Sequence, residues 1–403
     1  MAKLIAGIGT DRLFGWRIAR RPAALLRVAS GFNYTTRDIK FSARPIVLVI
    51  MQWALFCIIY VGMLIGSSVD ALAQRSPADL ADIPLSELLE FHVVSDAEND
   101  LSARGGEIED LTVASRLSLW YRYKVVQFEG YRDGKDNLTN EQVLRHFPVL
   151  PTVIDQEAHV IGLNYRHSNR LDFTMSIPHI KQSTEHIRRV GSPFTLRSDD
   201  WGDLSLSANY AVFKYGADAV VFSFGITAPT GTIDAKGDTP RGKDTQLPYA
   251  MQIGSGTWDV HPGITYMTAR GAWRLGSTLD GVFRLGTNDR DYSLGNQLAI
   301  TLWAERPVAE RIKFATHIRA ESWGDIDGQD SAVNPNIAPV ADPNLYGGKQ
   351  AELKGSLRYQ WKEDVYENCF VEVGGAIPVW QDLTGPQPKQ AWKLTIGLGI
   401  GFE

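Results

Sequence analysis

Residues 351–361 read AELKGSLRYQW, and their side chains alternate strictly in character. Every odd-numbered position is apolar or glycine, and every even-numbered position is polar. Successive side chains of a β-strand point to opposite faces, so this period of two predicts a strand with one apolar face and one wet face. Residues 311–321 repeat the pattern, with one polar side formed by Arg311, Lys313, His317, Arg319 and Glu321. Neither segment can be a strand that is buried on both faces.

The same alternation recurs along most of the chain. The predicted strands are 116–128, 159–166, 171–180, 204–215, 219–229, 258–269, 273–286, 297–305, 311–321, 351–361, 369–380 and 391–402. Each is about long enough to cross a bilayer at a tilt, and single-chain bacterial barrels have an even number of strands. The sequence therefore predicts an all-β fold, a transmembrane antiparallel up-and-down β-barrel of about 12 strands.

The connections between these strands alternate in length. Long connections follow residues 128, 180, 229 and 321, and shorter ones with turn residues lie at 288–290 and 385–387. The intervening connections are tight: His167–Arg170, Gly216–Asp218, Gly271, Pro307–Val308 and Lys362–Tyr366. Outer-membrane barrels have short periplasmic turns and long external loops. The alternation thus predicts a periplasmic N-terminus and places the long loops 230–257 and 324–349 outside the cell, where recognition usually resides.

Composition and charge agree with a barrel in the bacterial outer membrane. The chain has 44% hydrophobic and 22% charged residues, as expected when half of every strand is polar. A net charge of -5 argues against a nucleic-acid partner, which would require a basic surplus. Of the 2 cysteines, Cys57 lies in the predicted export segment, so the mature chain would keep only the thiol of Cys369.

The N-terminal region has the features of an export signal. Residues 45–66 form an uncharged apolar run after a basic stretch, and Ala71 and Ala73 supply the small residues that signal peptidase requires. We expect residues 1–73 to be leader and signal peptide, cleaved after Ala73. A start assigned too far upstream would account for the unusually long leader. The alternative is an uncleaved inner-membrane anchor.

A periplasmic segment, 74–115, is predicted between the signal peptide and the barrel of residues 116–403. Within it, residues 79–95 place apolar side chains at helical spacing. This stretch resembles the short segment after the signal peptide of many TonB-dependent receptors, and that resemblance implies energy-coupled uptake. A short helix that rests in the periplasm or in the lumen is the other interpretation.

The last strand ends on Phe402, with apolar side chains at the even positions before it. This ending resembles the terminal signal that the barrel-assembly machinery reads, although here Glu403 follows the aromatic residue. The resemblance implies that this machinery is a partner, together with outer-membrane lipid and lipopolysaccharide.

Four phrases resemble a family of bacterial outer-membrane proteins described as "putative MetA-pathway of phenol degradation" or as transporters. They are Gly202–Leu204, Ala228–Asp234 (APTGTID), Leu247–Asp259 (LPYAMQIGSGTWD) and Pro378–Gln387 (PVWQDLTGPQ). The resemblance implies an outer-membrane channel associated with aromatic or other apolar solutes. It sets the class of protein and leaves the solute open.

The strand phases predict which side chains line the lumen. The basic ones are Arg122, Lys124, Arg166, Arg274, Arg284, Arg311, Lys313, Arg319, Lys354, Arg358 and Lys393, with His317 among them. The acidic ones are Asp172, Asp259, Asp280, Glu305, Glu321, Glu352 and Glu372. Because bases outnumber acids, an open pore would favour anions. The alternative is that the charges pair across the interior and block it.

Two groups of residues are weak candidates for metal or acid-base chemistry. Asp325, Asp327 and Asp330 crowd a predicted external loop, which is the raw material of a calcium site, but the full calcium-loop pattern is missing. Asp259 and His261 share a strand face, and ordinary lumen polarity is the simpler interpretation. We expect no cofactor.

A lipid-hydrolysing barrel is the main enzymatic alternative, because residues 164–170 (NYRHSNR) loosely resemble the site of outer-membrane phospholipases. However, the adjacent His167 and Ser168 would face opposite sides of a strand, and their turn is predicted to be periplasmic. The sequence thus predicts no enzyme. It predicts a passive channel for small solutes, and energy-coupled uptake or a non-transporting surface barrel are the alternatives.

Overall fold

The structure is a computed structural model that describes residues 116–361 and 369–402. The predicted signal peptide with its cleavage after Ala73, the alternative membrane anchor, the helix within 79–95 and the turn at 362–366 lie outside these residues. None of the helices in the described ranges has the length and apolar character that a membrane crossing requires.

Strands make up nearly all of the regular structure. They are β1 (Leu117–Gly134), β2 (Asp136–Leu138), β3 (Val149–Ser168), β4 (Leu171–Arg188), β5 (Phe194–Trp201), β6 (Leu204–Tyr215), β7 (Asp218–Ala228), β8 (Lys236–Thr239), β9 (Gly242–Gln246), β10 (Trp258–Arg270), β11 (Trp273–Leu285), β12 (Tyr292–Ser293), β13 (Gln297–Ala309), β14 (Ile312–Trp323), β15 (Asp327–Gly328), β16 (Gly348–Gln360) and β17 (Cys369–Phe402). Helical structure consists of α1 (Asn140–Leu144) and two 3₁₀ turns, Tyr249–Met251 and Pro339–Ala341.

Eleven of these strands close into one antiparallel ring. Its order is β17-β16-β14-β13-β11-β10-β7-β6-β4-β3-β1, and β1 pairs again with β17. β2 and β5 lie outside the ring and pair with β1 and β4. The short pairs β8-β9 and β12-β15 form separate two-stranded sheets. The predicted closed, up-and-down barrel is confirmed.

β17 is long enough to supply two crossings of the barrel, since it contains 34 residues. Its first part pairs antiparallel with β16, from Gln360↔Phe370 to Gly348↔Leu383. Its second part pairs antiparallel with β1, from Gly134↔Leu383 to Leu117↔Phe402. Because β1 and β16 run in opposite directions in this ring, the two parts of β17 must run in opposite directions as well. The chain therefore reverses just after Leu383, and the ring has twelve crossings, which agrees with the predicted number.

The outer surface of the ring is apolar, as the strand phases predict. On β13, Leu298, Ile300 and Leu302 are 54%, 49% and 54% exposed, whereas the intervening Ala299 and Thr301 are buried. Leu206, Phe222 and Ile264 show the same outward exposure on neighbouring strands. A lipid-facing sheet must satisfy all its backbone groups internally, which only a closed barrel achieves.

The wall formed by β3 and β4 is taller than the sequence predicts. β3 begins at Val149 instead of residue 159, and β4 continues to Arg188, through residues predicted to form a long loop. Polar side chains such as Lys181, which is half exposed, occupy the outer face of this extension. Without an apolar face, the extension has the hydropathy of a loop, and the sequence pattern therefore predicts strands that are shorter than those observed.

β5 and β6 run in the same direction along β4 and form one strand with a β-bulge between them. Both pair antiparallel with β4, through His179↔Trp201 and Ser176↔Ser205. Between these two pairs, the three residues 202–204 lie opposite only two residues of β4, 177 and 178. The extra residue forms a β-bulge at Gly202 and Asp203. Both are buried, and the bulge directs them towards the inside of the barrel end that carries the long loops, which we call the loop end.

Large aromatic side chains lie on glycines of adjacent strands inside the barrel. A Cβ atom on Gly162 would lie 2.0 Å from the indole of Trp120, and one on Gly276 would lie 2.3 Å from the indole of Trp303. Such aromatic–glycine pairs fill the wall of a barrel where a larger residue could not fit. The missing side chain is thus required by packing.

Replacing Gly162 with alanine would force the Trp120 indole off the wall. We expect G162A to lower the free energy of unfolding by about 1–3 kcal/mol, the usual cost of overpacking. Urea unfolding in lipid vesicles, followed by tryptophan fluorescence, measures this change. Gly375 gives the control, because a Cβ there would lie 3.7 Å from the Lys393 carbonyl oxygen, an ordinary contact. Equal stability losses in G162A and G375A would contradict the packing argument.

Candidate functional site: the barrel lumen and its cap

The basic side chains predicted for the lumen lie on the inner face of their strands. Those that are buried are Arg122, Lys124, Arg284, His317, Arg319, Lys354 and Arg358. Those that are partly buried are Arg166, Arg274, Arg311, Lys313 and Lys393. The seven acidic residues assigned to the lumen, including Asp280 and Glu352, are buried on the same face. The alternation of the sequence therefore sorts these charges onto one surface.

Six ion pairs hold many of these charges against the wall. Their shortest separations are Arg358–Glu372 at 2.7 Å, Arg319–Asp280 at 3.0 Å, Arg319–Glu321 at 3.1 Å, Lys393–Glu352 at 3.1 Å and Lys313–Glu305 at 4.0 Å, together with Arg284–Asp259. Each pair joins residues of one strand, of adjacent strands or of strands one apart in the ring. These pairs therefore run along the wall instead of across the lumen.

Arg319 is the centre of the largest of these networks. Its guanidinium donates two hydrogen bonds to Asp280, at 3.1 and 3.0 Å, and another to Thr301 at 3.0 Å. Glu321 accepts from the same guanidinium and from Gln350, which in turn accepts from Gln381. A buried guanidinium is stable only when several acceptors surround it, so this network fixes the side chain.

Two further arginines stack on the aromatic side chains of the wall. The Arg122 guanidinium lies 5.4 Å from the centroid of Trp120, and that of Arg358 lies 4.7 Å from the centroid of Phe370. Phe370 covers Gly399 much as Trp120 covers Gly162. Stacking of this kind attracts the cation to the ring face. It also keeps long side chains flat against the wall.

Across the ring from the ion pairs of β14, β16 and β17, the lumen has a different lining, which we call the hydroxyl wall. Three rows of residues on β4, β6 and β7 form it: Ser176–Ser205–Thr227, Thr174–Ser207–Gly225 and Asp172–Asn209–Ser223. All nine residues are small, and six of them carry a hydroxyl group. The lumen is therefore two-sided, with long charged side chains on β1, β11, β13, β14, β16 and β17 and short polar ones on the hydroxyl wall.

Three loops, 229–257, 286–296 and 324–347, fold together over the loop end of the barrel, and we call this assembly the cap. Tyr249, Tyr292 and Tyr346, one from each loop, meet edge to face, with ring centroids 4.9 and 5.9 Å apart. They belong to a buried cluster that also includes the inward-facing Val126 and Phe128 of β1. The cap thus packs into the mouth of the barrel, and burial raises the pKa of Tyr249.

Hydrogen bonds also tie the loops of the cap to one another. Tyr249 accepts from the backbone amide of Asp330 at 3.0 Å, and Tyr346 accepts from that of Ala250 at 3.0 Å. Arg290 bridges two loops by pairing with Asp330 at 3.1 Å and with Asp234 at 2.5 Å. Movement of one loop would break contacts with both others.

Asp203 fastens the longest of these loops at its base. One carboxylate oxygen accepts from the amide of Gly231 at 2.8 Å and the other from the amide of Ser255 at 2.8 Å. The Thr230 hydroxyl donates to the carbonyl of Gly202 at 3.0 Å and accepts from the amide of Leu204 at 2.9 Å. The bulge between β5 and β6 therefore holds both legs of the loop 229–257.

Sequence reasoning did not find the two hydrogen bonds by which Asp203 holds the amides of Gly231 and Ser255, which we call the staple. The phrase Gly202–Leu204 carried part of the family resemblance, but the role of its carboxylate depends on the bulge and on two amides that are distant in sequence. The only available signal was an acidic residue next to a glycine at the start of a predicted strand.

The metal candidate is not supported by the geometry. Asp325 accepts from the amides of Tyr346 and Gly347, and Asp330 pairs with Arg290. No group of three or more potential metal ligands occurs within the described residues. The crowding of Asp325, Asp327 and Asp330 in the sequence reflects loop folding, since the first and the last fix turns and contacts of the cap.

The two predicted acid-base candidates also have separate partners. Asp259 pairs with Arg284 and accepts from Thr257 at 2.7 Å, whereas His261 Nε2 bonds the Thr227 hydroxyl at 2.7 Å. At the turn end, Ser168 Oγ accepts from the amide of Arg170 at 3.3 Å, and the His167 ring lies 6.5 Å from that of Phe173. Phe402, 45% exposed, pairs with Leu117 at the closure of the ring.

Comparisons with known proteins agree with this architecture. Residues 172–345 match the family described as "Putative MetA-pathway of phenol degradation". Three of the four phrases that carry the resemblance fall within this range, and Pro378–Gln387 lies beyond it. A comparison with curated proteins gave no match.

A solved structure, an outer membrane channel of the COG4313 group from Pseudomonas putida F1, is 12% identical with a TM-score of 0.51, covering 74% of this chain and 100% of that one. The KdgM porin is 9% identical with a TM-score of 0.35, covering 71% and 99%. A FadL homologue from Pseudomonas aeruginosa is 8% identical with a TM-score of 0.36, covering 78% and 96%. The last two similarities are too low to carry an argument. The chain thus resembles the phenol-degradation family over residues 172–345, and it has the fold of a bacterial outer-membrane β-barrel.

Proposed function

We propose that this protein is a passive channel through which small solutes cross the outer membrane. The observation that carries the proposal is the course of the ion pairs, which run along the wall between strands close together in the ring. Pairs of this kind neutralise buried charges without spanning the lumen. The inner face that these pairs line therefore offers a polar route through the membrane.

Two features support aromatic or anionic compounds as the solutes. The family that residues 172–345 match is described by an association with phenol degradation. Independently, the inner face carries more basic than acidic side chains, and a positive potential inside a low-dielectric wall concentrates anions.

The cap supports a channel whose passage is controlled by its loops. It packs into the mouth of the barrel through Tyr249, Tyr292 and Tyr346, so a solute must pass beside it or displace it. Loops on a rigid barrel often select what enters.

The direct test is conductance and uptake by the purified protein. We expect discrete conductance steps in planar bilayers. In liposomes we expect faster uptake of small aromatic carboxylates than of neutral sugars of similar size. Absence of both conductance and uptake from correctly folded barrel would refute the channel.

The basic surplus of the lumen predicts selectivity for anions. In a potassium chloride gradient, the reversal potential should show a preference for chloride, and the double variant R122Q/K124Q should reduce the chloride-to-potassium permeability ratio by about twofold. The control is K181Q, because the Lys181 side chain lies on the outer face and is 49% exposed. This variant should keep the permeability ratio of the parent. Cation preference in the parent at neutral pH would contradict the prediction.

The staple predicts that Asp203 keeps the cap closed. D203A removes the acceptor of two backbone amides, and hydrogen bonds to a charged group contribute about 1.5–3 kcal/mol each. The ratio of open to closed time in single-channel recordings should therefore rise by about tenfold or more. D327A, at an exposed position of another cap loop, should behave like the parent. An unchanged ratio in D203A would show that the staple does not control opening.

Energy-coupled uptake is the competing mechanism, and it depends on the N-terminal segment. A passive channel should keep its conductance and its liposome uptake after deletion of residues 79–95. Uptake into cells should also persist when the proton gradient is collapsed. Loss of cellular uptake in both conditions, with conductance retained, would favour the energy-coupled mechanism.

A further inference from the structure

One strand of the lumen differs from its neighbours in solvent contact. The inward-facing Ser205, Ser207 and Asn209 of β6 are all partly exposed. The residues beside them on β4 and β7 are buried, with Thr174 at 6% and Ser223 at 4% exposure. Since these side chains point into the ring, the solvent that reaches β6 occupies space inside the barrel.

The packing of the lumen explains why space remains at β6. In the ring of twelve crossings, β16 lies directly opposite β6, six strands away in either direction. β16 carries the long side chains of Glu352 and Arg358, which their partners Lys393 and Glu372 hold against the wall at 3.1 and 2.7 Å. The short side chains of the hydroxyl wall do not reach across, and the long ones opposite are tethered.

Ser207 and Asn209 also offer unused hydrogen-bonding groups. Within the part of the chain that the structure describes, neither side chain has a hydrogen-bond partner. Ser205 instead belongs to a chain of bonds, 2.8 Å to Thr227 and from there 2.7 Å to His261. A hydroxyl and an amide that face a water-accessible space can exchange water for the polar groups of a solute.

The ends of this strand lie where a passage would need to open. At the loop end, β6 follows directly on the Asp203 bulge that holds the cap loop. At the turn end, the buried Ala211 is followed by Lys214. The ammonium group of Lys214 lies near Asp172 and Arg170. A route along β6 therefore runs from the base of the cap to a charged site at the other end.

We propose that the solute path follows β6, and that Ser207 and Asn209 form a binding subsite for small organic molecules bearing hydroxyl or carboxylate groups. This inference rests on the proposed channel function and specifies where the channel runs. The hydroxyl and the amide of the subsite donate to an oxygen of the solute, while the tethered charges of the opposite wall leave the passage free.

Cysteine scanning locates the path. In full-length protein with Cys57 and Cys369 replaced by alanine, S207C and N209C are introduced singly and treated with a charged methanethiosulfonate reagent during bilayer recording. We expect modification to reduce the single-channel current by roughly half or more, because the adduct occupies a narrow passage. T265C is the matched control, since Thr265 also faces inward but is 0% exposed. Its current should not change.

Binding is tested with 4-hydroxybenzoate as the probe. We expect the S207A/N209A variant to require about tenfold more probe for half-block of the current, as loss of about 1.4 kcal/mol implies, and T265A to resemble the parent. Conductance that survives modification of S207C and N209C would place the path elsewhere and leave the channel function standing. Absence of conductance in the cysteine-free parent would refute the channel function and the path together. Unchanged block in S207A/N209A would refute the subsite.

Discussion

The structure depends on one constraint, the cost of an unsatisfied backbone group in lipid. Each exposed amide or carbonyl in hydrocarbon costs several kcal/mol, so a membrane sheet must have no free edge. Here β1 closes the ring by pairing with the end of β17, from Leu117↔Phe402 upward. Once the ring is closed, every strand has one lipid side and one inner side. Within the membrane, the polar side chains of each strand then have no alternative to the lumen.

Filling that lumen is a second problem, and the chain solves it unequally around the ring. On β11, β14, β16 and β17 long charged side chains are held flat by pairs such as Arg319–Asp280. In the rows of β4, β6 and β7 that form the hydroxyl wall, the inner side chains are short. The large side chains fill their side of the lumen closely, so the remaining space lies beside the small side chains. The asymmetry leaves Ser205, Ser207 and Asn209 of β6 in contact with solvent, while the pairs limit the desolvation cost of the charges.

Much of this barrel could be predicted from the sequence because its signal is local. A period of two fixes which side chains face inward, and a residue such as Lys354 is assigned to the inner face from its neighbours alone. Strand ends beyond the membrane carry no such signal. β4 continues to Arg188 with polar residues on its outer face, and β5 follows the same wall, so both have the composition of loops. The staple was beyond reach for a different reason, since Asp203 acts on amides of Gly231 and Ser255 that only the folded cap brings close.

The phrases that carry the family resemblance acquire a physical meaning in this structure. Gly202–Leu204, Ala228–Asp234 and Leu247–Asp259 meet at the staple, where Gly231 and Gly254 approach so closely that a Cβ on Gly254 would lie 2.4 Å from the Gly231 carbonyl oxygen. The fourth phrase ends at Gln387, which donates to the carbonyls of Leu345 and Gly347 at 3.1 Å and so fixes another cap loop. All four phrases thus specify how loops are fastened to the barrel. The small side chains on β6 that contact solvent lie outside them. The resemblance therefore rests on residues that fasten the cap in this chain, and the proposed subsite on β6 lies outside the phrases that carry it.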